Sequence, residues 1–223
     1  MTASPATPAR PRATYRLQLG PTLGFREAAR LVPQLAALGV SHVYASPYLR
    51  ARAGSDHGYD IVDHGAFNPE IGDEADFDAF VAALRRHGMG HILDFVPNHM
   101  GIARADNEAW LEVLEWGAAS PEAERFDIEW RPEKRELRDK VLAPFLGDHY
   151  GRVLERGELR LVLDPDRSGF SLWYFDHRFP LAPRSYALVL ARSGVRALEQ
   201  LARRFGRLPQ PARERLVARA ARR

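Results

Sequence analysis

Between residues 14 and 96 the chain alternates three short β-forming runs with two apolar stripes at helical spacing, and that rhythm leaves few folds open. Residues 14–19 (TYRLQL) alternate bulky β-formers with polar residues, as a strand does. Phe25, Ala28, Ala29, Val32, Leu35 and Ala36 then recur at the spacing of one helix face and end before Gly39. Pro33 falls inside this stripe and is expected to kink the helix or mark its restart. Residues 41–46 (SHVYAS) read as a second strand, closed by Pro47. Asp73 is a candidate N-cap for a second helix with Phe77, Phe80, Val81 and Leu84 facing inward and Gly88 ending it. Residues 91–96 (HILDFV) make a third strand. Helices lying between short apolar strands argue for an α/β fold with parallel pairing and right-handed crossovers. Such folds keep their sites at the carboxyl ends of the strands.

The remaining segments break this rhythm. Residues 48–72 are rich in Gly, Asp and His without apolar period, and read as a long functional loop. Residues 107–117 (NEAWLEVLEWG) give a short amphipathic helix. Residues 126–186 mix aromatics, prolines, glycines and charges with no further β-α unit, and read as an inserted subdomain. Val195, Leu198, Ala202 and Phe205 mark a last helix, which Pro209 and Pro211 separate from an Arg-rich end. The expected organisation is a disordered leader over 1–12, an α/β portion over 13–105, the insertion over 106–190 and a helical segment over 191–223.

Charge and composition narrow the function classes. Residues 201–223 hold eight Arg and one Glu, so a net charge of +3 for the chain leaves −4 on residues 1–200. A nucleic-acid reading of the whole chain therefore loses its support. With no Cys there is neither a disulfide scaffold nor a thiol nucleophile, which fits a cytoplasmic protein. No apolar stretch reaches the roughly 20 residues of a membrane helix. No Gly-rich phosphate cradle is present.

Two motifs follow the second and third strands: residues 54–60 (GSDHGYD) and residues 94–99 (DFVPNH). They bring His57, Asp60, Asp94 and His99 to one strand-end mouth. Carboxylates, imidazoles and an aromatic ring suit a polyol, whose hydroxyls need planar polar partners and whose C–H face stacks on a ring such as Tyr59. Asp94, inside an apolar strand, needs a partner to stay charged, and an arginine is expected. A metal site of the two His and two Asp is an alternative, although no two His share one element at ligand spacing.

The DFVPNH run resembles the first signature region of the α-amylase clan, and His57-Gly58-Tyr59-Asp60 resembles its sugar-stacking loop. Further runs are similar to the maltooligosyltrehalose synthase family within that clan: Tyr15-Arg16-Leu17-Gln18, Tyr44-Ala45-Ser46-Pro47, Phe126-Asp127-Ile128-Glu129-Trp130, Leu146-Gly147-Asp148-His149-Tyr150-Gly151 and His177-Arg178-Phe179-Pro180-Leu181. Asp56 stands where that family carries Thr.

The resemblance implies the first three β/α units of a (β/α)₈ TIM barrel plus an inserted mixed subdomain after strand three. It implies a retaining enzyme that turns the reducing-end α-1,4 bond of a maltodextrin into an α,α-1,1 bond without metal or organic cofactor. His57, Tyr59, Asp60, Asp94 and His99 would bind substrate, with Arg16 and Asn98 in support. A maltooligosyltrehalose trehalohydrolase would be the functional partner. The clan's nucleophile lies in an Arg-x-Asp-His-like motif that residues 1–223 do not contain. No catalytic carboxylate is therefore expected in this chain, which reads as the amino-terminal portion of a longer enzyme, inactive alone. A full barrel takes about 250 residues before insertions. Another clan enzyme, such as a 4-α-glucanotransferase, and a non-catalytic glucan-binding remnant are the competing readings. An unpaired edge on three parallel strands would make the chain prone to aggregate.

Overall fold

A computed structural model describes residues 10–165, 167 and 169–208, and the chain divides into two units, residues 1–102 and 103–223. The Pro209 and Pro211 boundary, most of the Arg-rich end and most of the leader lie outside the described residues.

In the first unit, β1 (Thr14–Leu17), α1 (Phe25–Ala37), β2 (His42–Ala45), β3 (Leu49–Ala51), β4 (Ile61–Phe67), α2 (Glu74–Arg86) and β5 (Gly90–Leu93) follow in order. Strands β1, β2 and β5 form one parallel sheet with β2 in the middle. The register sets Arg16 beside Tyr44 and Tyr44 beside Ile92, so these three share one face, while Val43 and Ala45 turn the other way and are fully buried. Ser41 and Ser46 tie the strands together. The Ser41 hydroxyl accepts from the Arg12 and Ala13 amides, and Ser46 Oγ accepts from the Leu19 amide at 2.8 Å.

Helix α1 buries Phe25, Ala28, Val32 and Leu35. It runs through Pro33 as one element, so the expected restart does not occur. Buried Val32 and Leu35 on either side anchor the helix while the proline ring faces solvent. Asp73 caps α2 by accepting from the Asp76 amide at 2.9 Å, and Gly88 supplies the left-handed turn after it (φ 63°). The two helices meet around Phe25, whose ring packs edge-on against Tyr48, Phe67 and Phe77 at 5.3–5.7 Å.

Residues 48–72 are not a structureless loop: β3 and β4 form an antiparallel hairpin whose register shifts on both sides of Arg50. Those irregularities, with Asp63, His64 and Gly65 inside β4, remove the alternation that marks a strand. The third strand also stops at Leu93, so Asp94 lies just past its end and not within it. Its amide still donates to the Ala45 carbonyl at 2.9 Å.

In the second unit, α3 (Glu108–Trp116) is capped by Asn107, which accepts from the Trp110 amide at 3.0 Å. After α4 (Tyr150–Glu155) come β6 (Leu159–Asp164), β7 (Gly169–Tyr174) and β8 (His177–Pro180), paired antiparallel in that order. Helices α5 (Tyr186–Leu190) and α6 (Arg196–Gly206) close the described residues. This unit has two small cores, one around Trp110 and Val113 and one around Tyr186, Leu190 and Ala202. Among the described residues these three strands pair only antiparallel, and the residue pattern does not announce that sheet. Among the described residues no helix is long and apolar enough to cross a membrane.

Candidate carbohydrate site

The site forms on the face of the parallel sheet opposite the helices, at the carboxyl ends of its strands. Arg16 from β1 reaches across its neighbour strand, its guanidinium 4.7 Å from the centre of the Tyr44 ring, and Nη1 donates to Asp94 Oδ2 at 2.8 Å. Arginine is thus the partner of Asp94. The same carboxylate oxygen accepts from the Tyr59 hydroxyl at 2.6 Å, and Arg16 Nη2 donates to that hydroxyl at 3.2 Å. Three residues from three separate chain segments therefore close a hydrogen-bonded triangle. Gln18 joins its edge, its side-chain oxygen accepting from Arg16 Nη2 at 3.4 Å.

The electrostatics follow from that geometry. The Tyr59 hydroxyl, and then Arg16 and Tyr44, hold the Asp94 carboxyl below the usual carboxylate range, against the opposing effect of burial. In return the hydrogen bond to Asp94 pushes the Tyr59 phenol up and the Arg16 guanidinium up. The carboxylate is thus kept charged although its side chain is only 12% exposed.

Two histidines hold the backbone of Tyr59. His57 Nδ1 accepts from the Tyr59 amide at 3.0 Å, which leaves the proton of the neutral ring on Nε2. The ring lies nearly parallel to that of Tyr59, with centroids 5.9 Å apart. His57 Nδ1 stands 4.0 Å from Asp60 Oδ1, yet with that nitrogen accepting an amide this is proximity and not an ion pair. His99 Nε2 donates to the Tyr59 carbonyl at 3.0 Å, and its Nδ1 lies 3.3 Å from Asn98 Oδ1.

The loop itself is braced by Ser55. Its hydroxyl donates to Asp60 Oδ1 and accepts from the Gly58 amide at 3.1 Å. Gly58 sits at φ 76°, and a Cβ there would come within 2.8 Å of the Pro47 carbonyl oxygen, so only glycine lets the loop pass this close.

Of the sequence-derived residues, Arg16, His57, Tyr59, Asp94, Asn98 and His99 come together directly, whereas Asp60 bonds within its own loop. Sequence reasoning misses Tyr44, Gln18 and Ser55 as members of the site. Parallel pairing alone would have exposed Tyr44, because it faces Arg16 in the register. For the metal alternative, both imidazoles direct a ring nitrogen to Tyr59 peptide groups and Asp94 to an arginine. Among the described residues no cluster of three or more His, Asp or Glu is placed to hold a metal ion.

Residues 30–148 match the family model described as the α-amylase catalytic domain. A Mycobacterium tuberculosis protein provisionally described as a maltooligosyl trehalose synthase is 39% identical over 167 residues, covering 68% of this chain and 21% of that protein. The structure of maltooligosyltrehalose synthase from Arthrobacter ramosus superposes with a TM-score of 0.66 at 38% identity, over 77% of this chain and 21% of the other. A further crystal structure, of a maltooligosyl trehalose synthase, gives a TM-score of 0.70 at 36% identity, over 77% and 22%. The chain thus spans about a fifth of the length of the relatives it matches. Its strand-end triangle, its parallel α/β sheet and a family match over more than half its residues agree, and the chain belongs to the α-amylase catalytic-domain family.

Proposed function

We propose that this chain supplies the substrate-cradling start of a cytoplasmic intramolecular transglycosylase, one that converts the reducing-end α-1,4 bond of a maltodextrin into an α,α-1,1 bond. Residues 13–105 are the first three β/α units of a (β/α)₈ barrel, 106–190 an insertion and 191–223 a helical segment. The observation that carries the reading is the Asp94 carboxylate, bound at once by Arg16 and Tyr59 beside an exposed imidazole. The similarity to proteins named maltooligosyltrehalose synthase supports the choice of reaction.

In this reading the Tyr59 ring stacks on the C–H face of the glucosyl unit under attack, and its hydroxyl stays tied to Asp94. His57 presents Nε2–H to a sugar hydroxyl, while the outer oxygens of Asp94 and Asp60 accept from others. His99 holds the Tyr59 peptide in place beside the sugar, and Asn98 braces the loop after β5. The reaction proceeds by double displacement, with one carboxylate forming a glycosyl ester and another acting as acid and then base. Neither belongs to residues 1–223, which contain no Arg-x-Asp-His run. The chain alone is therefore inactive. Its product, a maltodextrin ending in trehalose, is what a trehalohydrolase would consume.

Incubation with maltopentaose tests this. The 223-residue chain should yield no trehalosyl-ended product, and a protein extended to the length of its relatives should yield it. Tyr59→Ala in the extended protein should lower kcat/KM by about 100-fold, or ~2.7 kcal/mol. Trehalosyl product from the chain alone, or transfer only to 4-hydroxyls by the extended protein, would overturn the reading.

A further inference from the structure

Strand β6 ends the order β6-β7-β8, and among the described residues no strand pairs with its outer edge. Leu161, Val162 and Leu163 are 49%, 39% and 57% exposed, so apolar side chains stand open on both faces. The strand pairs with β7 over six residues in unbroken register, and it carries neither proline nor lysine. Proteins normally blunt such an edge with a bulge, a proline or a lysine, because its free amides and carbonyls are a template for another strand.

The sequence around that edge is symmetric in character about Val162: Leu161 and Leu163 flank it, then Arg160 and Asp164. Antiparallel pairing of two copies with Val162 opposite Val162 sets Leu161 against Leu163 and Arg160 against Asp164, and the two-fold axis repeats both pairs. Directly opposite residues share a face and lie close enough for side-chain contact. A slip of two residues in one direction puts Arg160 against Val162, and in the other Val162 against Asp164. The centred register alone matches apolar with apolar and cation with anion. Arg160 is exposed and forms no ion pair within the described residues, whereas Asp164 accepts from the Arg167 amide at 3.2 Å and lies 3.5 Å from Arg178 Nη2 and 3.9 Å from Arg167 Nε.

We propose that the outer edge of β6 pairs with the same strand of a second copy of this chain, about a two-fold axis at Val162, to give a closed homodimer with a six-stranded sheet. The reading is independent of the carbohydrate site.

Sedimentation of the 223-residue chain over a range of concentrations should show a monomer–dimer equilibrium. Val162→Lys places two ammonium groups face to face at the axis and should raise the dimer dissociation constant by roughly tenfold or more. The chain has no native cysteine, so Val162→Cys offers a second, unambiguous readout that leaves a small exposed side chain in place. It should form an intermolecular disulfide under mild oxidation much faster than Leu154→Cys, a more exposed site on α4. A chain that stays monomeric throughout, dimerisation that survives Val162→Lys, or cross-linking no faster at 162 than at 154 would each overturn the proposal.

Discussion

Two three-stranded sheets, β1-β2-β5 and β6-β7-β8, show how differently the two units of this chain are built. The first is parallel, so its strands must be joined by helices, and those helices bury one face in a single continuous core from Leu17 to Met89. The freed face then carries polar side chains in register, and Arg16, Tyr44 and Asp94 use it to make a charged network. The second sheet is antiparallel, and its edge strand β6 stays exposed on four successive residues while small cores form elsewhere. Parallel topology concentrates chemistry at one strand end; the antiparallel sheet leaves an open edge and presents surface.

Substitutions can break or sharpen that contrast. Phe25→Ala empties the centre of the aromatic cluster and should cost about 3–5 kcal/mol in denaturant unfolding, whereas Leu161→Ala on the exposed edge of β6 should stay within about 0.5 kcal/mol in the monomer. Equal effects would erase the distinction. Asp94→Asn leaves Arg16 and Tyr59 without their anion and should cost about 1.5–3 kcal/mol, read from hydrogen exchange of the first unit. In the second unit, Asn107→Ala removes the cap of α3 and should cost about 1 kcal/mol, with amide protection lost first at Trp110.

The smallest effect is one of sign. Asp94 titrates below its unfolded value of about 4, so its stabilisation is complete above that pH and disappears as pH falls through the folded value. Burial instead raises the Glu115 carboxyl, and that of Glu112 beside Glu122. Local stability near α3 should therefore fall as pH rises from about 4.3 through the raised values. Hydrogen exchange followed between pH 3 and 6 should show opposite slopes in the two units, and Glu115→Gln should flatten the second.

The same contrast explains which elements are legible in the amino-acid sequence. Helices α1 and α2 announce themselves because one-sided burial forces the period 3.6 into the residues, and the three parallel strands because short β-forming runs fall between those helices. The hairpin β3–β4 does not, since Asp63 and Gly65 interrupt its alternation and the register shifts beside Arg50. Strands β7 and β8 are hidden for another reason. They are joined through Phe175 at φ 50°, where a turn normally advertises itself with Asn or Gly. At the site, residue chemistry points to Asp94 and its need for a cation, and parallel register makes Arg16 reachable. The role of Ser55 is not legible, because a hydroxyl that bonds Asp60 and Gly58 within its own loop leaves no periodic or motif trace. The residue pattern offers the histidines as candidate sugar ligands, but not as the two groups that hold the Tyr59 amide and carbonyl.

Everything assigned to the first unit depends on that network being formed before substrate arrives. Carbon-detected NMR titration of the Asp94 carboxyl, in the wild-type chain and in Tyr59→Phe, measures this directly. The account predicts a midpoint below the usual value of about 3.9, moving upward when the phenol that contributes most is removed. An ordinary midpoint in the wild type, or one that Tyr59→Phe leaves unchanged, would contradict it.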